Sequence, residues 1–518
     1  MQCVPIVEQC KLLLRKGLGL HQVILILVAR RIDGLTICIR TIANFMCLNA
    51  DMQLKYETTM FAIGESNMPH KRWHVSILPL VFVISLVLTA CGSAGSQDPA
   101  VSTLTYAVLG EGALVKAQGM VKEFNKSHQD IKVEVKEYLN EDGRSGKERL
   151  FVEIASGKIP DIIDLGSDAE TSSMLPYHLL ATEGYLENLW PYIENDPDLG
   201  RDGVMEAPLK AAEVNGGLYT VFGGVHIETL AGAENLIGDR KSWTLAQLQE
   251  VFASMPEDST VLAYCTEKQG AFDNIFRHSL ENYVDRDSGT CDFTNENFRS
   301  SLEFVNSFPF KFTGLRENIN TEVAERVFSG RQMLEKAYLG SPLSIQQYDA
   351  FYGSGGRVAF IGFPTEDGSA GSTFQVSTRP LAMSSVCQNK EAAWEFLREV
   401  LLPQYDNMDD MIDDNAFYST PVNQSDYNMM IKCVMTRDVW EQINVLGFPT
   451  LEIHHSTQEE VDRFEDLFNS IETINLYDPT VYDIVYEACG PYFAGDKTID
   501  ETITLIQNRV SLYLNELQ

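Results

Sequence analysis

Between Thr103 and Leu165 the hydrophobic pattern changes from strand-like alternation to a helical period of about 3.6 and back, twice over. Nothing else in the chain restricts the fold as tightly. Thr103–Leu109 alternates and runs into Gly110-Glu111-Gly112, the signature of a strand closed by a turn. Leu114–Lys126 then reads as a helix with Val115, Gly119, Met120 and Phe124 on one side. Ile131–Tyr138 alternates as a second strand, and Glu148–Ser156 reads as a helix stopped by Gly157. Pro160–Leu165 is short and apolar, as strands buried on both faces are. Strand, helix, strand, helix, strand predicts the α/β class, with a parallel sheet and helices on its faces.

The pattern continues downstream. Leu175–Tyr192 is expected to be helical, Gly216–Phe222 a strand after a turn, and Thr244 the cap of a helix. Asp292–Asn295 opens a helical stretch through Phe298, Leu302 and Val305. Gly356–Pro364 reads as a strand, and Asn389–Leu401 as a helix with Ala392, Ala393, Phe396 and Leu397 inward. Ile499–Leu517 is an amphipathic helix whose buried face is Ile503, Ile506, Val510 and Leu514. Residues 91–518 exceed one comfortable core, so two lobes are expected.

Ahead of this region stands a different kind of sequence. Met68-Pro69-His70-Lys71-Arg72 is basic, Trp73–Leu88 is apolar, and Leu88-Thr89-Ala90-Cys91 ends in small residues and a cysteine. A basic start, a short apolar run and small residues before a cleavage point make a secretory signal over 68–90. The run is shorter than the roughly 20 apolar residues that span a bilayer. Leu88-Thr89-Ala90-Cys91 resembles the bacterial lipobox, which makes Cys91 the expected lipidated first residue of the mature chain. Residues 91–100, with Gly92-Ser93-Ala94-Gly95-Ser96, read as a flexible tether. Residues 1–67 show no sustained period and are read as a mis-assigned upstream extension, with Met68 as the start; an additional cytoplasmic or interfacial segment is the alternative.

Charge narrows the function classes. Residues 1–90 hold 9 Lys+Arg and 5 Asp+Glu of the chain's 40 and 73, so residues 91–518 carry 31 and 68, a net −37. So acidic a surface repels nucleic acid and anionic lipid, and the basic patch that binds phosphate backbones is missing. Cys265, Cys291, Cys387, Cys433 and Cys489 show no metal spacing. A Cys265–Cys291 disulfide and buried free thiols both remain open. Gly143-Arg144-Ser145-Gly146-Lys147 fails the phosphate-loop spacing, with Glu148 where a hydroxyl belongs. The acidic run from Asp406 to Asp414 lacks the spacing and glycine of a calcium loop, and His454-His455 lacks a metalloprotease frame. No catalytic constellation, metal site or cofactor site is expected. A pair of carboxylates across a cleft could still make a glycoside hydrolase, which is the alternative class.

Several segments, in order, resemble family 1 extracellular solute-binding proteins of ABC importers, the maltose-binding-like group. They include Phe124-Asn125-Lys126 before Ile131-Lys132-Val133-Glu134, then Ala155–Ile163, then Gly184–Tyr192. Gly217-Leu218-Tyr219, Trp243-Thr244, Gly362–Gly368, Ala392–Leu397, Tyr492–Lys497, Ile506–Val510 and Tyr513–Glu516 follow. The resemblance implies two α/β lobes, a ligand cleft between them and a hinge of crossing strands. It puts lobe one at residues 101–222 plus 366–420 and lobe two at 223–365 plus 421–518. It implies a monomeric, membrane-anchored extracytoplasmic protein that hands a small polar solute, most often a sugar or oligosaccharide, to an ABC permease; a sensor kinase is the other possible recipient. Four ligand-binding residues are carried over: Glu111 in the turn after the first strand, Asp168 past the third, His226 after the crossing strand and Tyr338. At His226 the family pattern has a carboxylate instead.

Overall fold

Two main sheets, one of four strands and one of six, organise the described residues. The structure is a computed structural model describing residues 101–516 apart from 141–145, 167–173, 263–266, 287, 310–318, 415, 444–446 and 477–478. The proposed signal, tether and Cys91, as well as Asp168 and Cys265, lie outside the described residues.

The first sheet begins as the sequence predicts. Strand β1 (Ser102–Leu109), helix α1 (Glu111–Ser127), strand β2 (Ile131–Tyr138), helix α2 (Lys147–Ala155) and strand β3 (Ile162–Asp164) follow one another. β1 lies between β2 and β3 and is parallel to both. α1 buries only part of the predicted face, Phe124 fully and Met120 by half. Ala113, Ala117, Val121 and Phe124 point inward, whereas Val115 is 70% exposed and Gly119 lies at the surface. The helix starts three residues earlier than expected, and the small Ala113 and Ala117 supply the close-packing stripe. Gly146, from the rejected phosphate loop, has a packing reason: a Cβ there would sit 2.9 Å from the Tyr138 carbonyl carbon.

Strand β4 (Gly224–Ala233) is the strand of the second sheet on which four others pair. Strands β5 (Thr260–Leu262), β6 (Gln332–Leu339), β7 (Val358–Phe360) and β8 (Thr373–Val376) come next. β9 (Leu381–Met383) returns to the first sheet and pairs antiparallel with β3, and β10 is the short Thr420–Pro421. The orders are β9-β3-β1-β2 and β7-β4-β6-β5. The C-terminal half of β4 pairs with β6 and β7, while its first residues pair with β8 and β10. The crossing strand is therefore 224–233. Expected strand 216–222 shrinks to Gly217–Leu218, paired with Glu213–Val214 across a tight turn with φ of 51° at Asn215 and 77° at Gly216. Two residues with φ > 0 are what a two-residue hairpin turn demands.

The buried apolar side chains form two main clusters. One gathers the first sheet with Phe396, Leu397, Met430 and Phe464; the other holds Trp243, Phe272, Phe298, Leu302, Ile361 and Val485. Val225, Ile227 and Ala231 of β4 belong to the first, Leu230 to the second. Phe124 of α1 meets Phe396 of helix α3 (Lys390–Leu397) edge-on, at 5.1 Å between ring centres. Thr244 caps its helix reciprocally with Gln247, as the sequence suggests. The final helix, α4 (Ile499–Glu516), buries Ile503, Ile506, Val510 and Leu514. Predicted helix 175–192 is interrupted, with helical Tyr177–Thr182 and Trp190–Asn195 flanking an irregular stretch at Gly184 (φ 73°). Among the described residues no helix is long and apolar enough to cross a membrane.

Candidate functional site

β4 carries the chemistry at the junction. Alternation puts Gly224, His226 and Glu228 on one face of the strand. Glu228 is the only carboxylate in Gly224–Ala233, and it is 2% exposed. Its Oε1 lies 2.5 Å from Lys336 Nζ and 3.3 Å from His278 Nε2. The Tyr338 hydroxyl donates to the same oxygen at 3.3 Å, and Asn475 Nδ2 donates to Oε2 at 3.5 Å. Burial alone would raise its pKa; His278 and Lys336 outweigh that and hold the carboxylate well below its usual range. Burial likewise disfavours the charge on Lys336, and Glu228 more than restores it. His278 packs on Phe363 with ring centres 4.2 Å apart. Next to this network the Tyr482 hydroxyl donates to Asp273 Oδ1, and Tyr482 stacks with Tyr486 at 5.7 Å. Burial pushes the Asp273 carboxyl up.

The carboxyl edge of the first sheet supplies the other side. Asp164 is fully buried at the end of β3 and accepts from Arg379 Nε at 2.6 Å and from the Gly166 backbone at 2.9 Å. Arg379 Nη2 also donates to Leu109 O at 3.1 Å, tying the ends of β1 and β3 to the chain entering β9. Burial raises the Asp164 pKa, with Arg379 opposing. A cavity of about 700 Å³ opens here, lined by Gly112 and Lys116 of α1, Gly224, Arg379, Ser419 and Tyr405 among others. Beside it Gly166, Met174, Val376 and Asn475 close on one another, and Asn475 reaches Glu228.

The candidates from sequence fall unevenly around this junction. Glu111 is exposed in the first turn of α1, where a carboxylate also complements the helix dipole, and its neighbour Gly112 lines the cavity. His226 lies within the crossing strand, not after it, because that strand is 224–233. It is half-buried, and its ring is hydrogen-bonded to the Tyr418 backbone; burial lowers its pKa. Tyr338 sits opposite Glu228 on β6, 44% exposed, with its backbone N–H donating to the Tyr348 hydroxyl at 2.9 Å. Asp168 is outside the described residues. Glu228, Lys336, His278, Asp273, Tyr482 and Arg379 were not singled out. The available signal was one acid inside the otherwise buried run Gly224–Ala233, and a Glu335-Lys336 pair inside apolar Gln332–Leu339.

Among the described residues no group of three or more His, Cys, Asp or Glu could hold a metal ion. Cys291, Cys387, Cys433 and Cys489 are free thiols, and Cys291 lies 3.3 Å from Ser511 Oγ. The acidic run forms a short helix, Met408–Asp413, capped by Asn407, and His454 and His455 are exposed. The junction thus offers charged and hydroxyl hydrogen-bonding groups beside aromatic faces.

No family model and no curated protein sequence matches the chain. Solved structures do. The sugar-binding protein MalE from Xanthomonas citri is 16% identical, covering 80% of this chain and 98% of that one, with a TM-score of 0.47. An extracellular solute-binding protein family 1 member from Alicyclobacillus acidocaldarius is 16% identical over 80% and 99%, with a TM-score of 0.45. A periplasmic oligogalacturonide-binding protein from Yersinia enterocolitica is 14% identical over 80% and 99%, with a TM-score of 0.47.

Proposed function

We propose that this chain is the substrate-capturing component of an ABC importer, taking a small carbohydrate in the cleft at the crossing strands and delivering it to a membrane permease. One observation carries the reading. A single ten-residue strand contributes side chains to two separate apolar cores, and its polar face lies beside an open cavity. Two cores joined by a few strands can close on a ligand by hinge motion.

In this reading the lobes are 101–222 plus 366–420 and 223–365 plus 421–518, with the stretch around Met430 and Phe464 moved to lobe one because it packs with the first sheet, and Glu111, Asp168, His226 and Tyr338 contact the ligand. Residues 68–90 direct export and Cys91 carries the lipid anchor, outside the cytoplasm. The protein binds and releases its ligand without chemical turnover.

A thermal-shift screen of mono- and oligosaccharides tests the proposal. A true ligand at 100 times its Kd adds about 2.7 kcal/mol of stability. The hit should also reduce the radius of gyration in solution scattering and be recovered unchanged after long incubation. No hit among saccharides would overturn the carbohydrate reading, and a hydrolysed product would replace it with the glycosidase.

A further inference from the structure

We infer that Asp426 receives an ammonium group of the solute, so that the cavity takes an amine-bearing saccharide in preference to a neutral one; this rests on the carbohydrate reading above. Among the described residues three acidic residues are no more than 2% exposed: Asp164, Glu228 and Asp426. Asp164 has Arg379, and Glu228 has Lys336 and His278. Among the described residues no basic side chain pairs with Asp426. Its Oδ2 accepts from the Gln404 backbone N–H at 2.8 Å, and its buried Oδ1 meets no donor. Of the three, Asp426 is also the one that lines the 700 Å³ cavity.

A buried carboxylate oxygen with no donor carries a desolvation penalty that a partner would relieve. The fold does not need this acid as a cap. Asp426 stands in the first turn of the helix Gln424–Thr436, where a carboxylate complements the helix dipole. Asn423 already caps that helix, accepting from the Ser425 and Asp426 N–H groups. Dipole complementation requires no burial, and Glu111 meets it from solvent on α1.

The surroundings favour a cation over a hydroxyl. Tyr405, on the cavity wall, lies in the field of Asp414 as well as Asp426. Arg379, which also lines the cavity, is committed to Asp164 and Leu109 O, and Lys116 stands on the exposed surface of α1. A sugar hydroxyl would bring one donor, whereas an ammonium brings three and the counter-charge that Asp426 lacks. The rest of a sugar finds apolar wall at Ala117 and Leu402 and hydroxyls at Ser377 and Ser419. The volume is in the range of small-molecule sites.

Titration calorimetry near neutral pH, on wild type and Asp426→Asn, tests the inference. The probes are glucosamine against glucose, the β-1,4-linked glucosamine disaccharide against cellobiose, and butane-1,4-diamine as an amine without a sugar. Wild type should bind the amino member of a pair about tenfold to a hundredfold more tightly, as a hydrogen bond to a charged group allows. Asp426→Asn, whose amide oxygen can still accept from Gln404, should erase that preference and leave neutral-sugar affinity within about threefold. The variant should melt no lower than wild type, because the change removes a buried charge with no counter-ion. Equal affinity of wild type for amino and neutral sugars, a preference that survives in Asp426→Asn, or a clear fall in its melting temperature would overturn the inference and leave the carbohydrate reading standing. Binding of the diamine alone, lost in Asp426→Asn, would uphold Asp426 as an ammonium site and overturn the carbohydrate reading. A wild type that binds none of the probes would overturn both.

Discussion

Asp164 at the edge of the first sheet and Glu228 in the crossing strand are both buried carboxylates with a basic side chain within 2.6 Å, yet the protein drives their proton affinities in opposite directions. Asp164 has one cationic partner, Arg379, and the cost of burial prevails. Glu228 has Lys336 and His278, with Tyr338 and Asn475 adding hydrogen bonds, and burial is overcome. A single partner does not make a buried charge comfortable; the completed set of partners does. The edge of the first sheet thus holds a carboxylate whose proton affinity is raised, while the crossing strand holds one whose proton affinity is lowered.

The largest effect is expected from Glu228→Gln, which strands Lys336 inside the protein. Breaking a buried pair from one side costs about 3–5 kcal/mol, readable by urea unfolding. A loss no greater than that of the matching Asp164 variant would abolish the contrast. Asp164→Asn should cost less, about 1–3 kcal/mol, since burial already favours an uncharged side chain there and the amide oxygen can still accept from Gly166.

Acid separates the two further. Glu228, with its pKa depressed on folding, stabilises the protein above the ordinary carboxylate value, near 4.3 for Glu, and that contribution is lost as pH falls through and below it. Asp164, with its pKa raised, has the opposite sign: its charge costs stability above its folded pKa, and the cost fades as pH falls. Between about pH 5 and 3, Glu228→Gln should lose less stability than wild type and Asp164→Asn more. Parallel pH slopes for the three proteins would contradict the opposed shifts.

The smallest effect is the sharpest probe of completeness. Tyr338→Phe removes one hydroxyl from Glu228 and should cost about 0.5–1.5 kcal/mol. A double-mutant cycle with Glu228→Gln should show coupling, because the two groups share one oxygen. Strict additivity would mean the hydroxyl contributes nothing to Glu228.

The same contrast explains what could be read from sequence. β1, β2 and α2 were legible because each repeats one local period, and β2 shows solvent to alternate residues. The inward face of α1 was misread because its buried stripe relies on Ala113 and Ala117, which carry little hydrophobic signal beside Val115. β4 was missed because it is covered on both faces and so has no alternation to detect. The site was harder still. Glu228, His278, Lys336 and Asn475 come from four distant parts of the chain, and only the crossing topology brings them to one point. Glu111 could be placed near the junction because a turn after a strand is a local property, whereas His226, expected after the crossing strand, lies within it because that strand carries no local signal.

The pairing of β4 has a consequence for how the chain is made. Its partners are residues 332–339, 358–360, 373–376 and 420–421, all of which leave the ribosome long after it. β3 likewise waits for residues 381–383. Neither sheet can be completed on the nascent chain until most of the sequence has emerged, and such long-range closure folds slowly. Only β1, β2 and β3, which pair with one another within residues 102–164, can assemble early, and the second sheet stays open until the chain is nearly made.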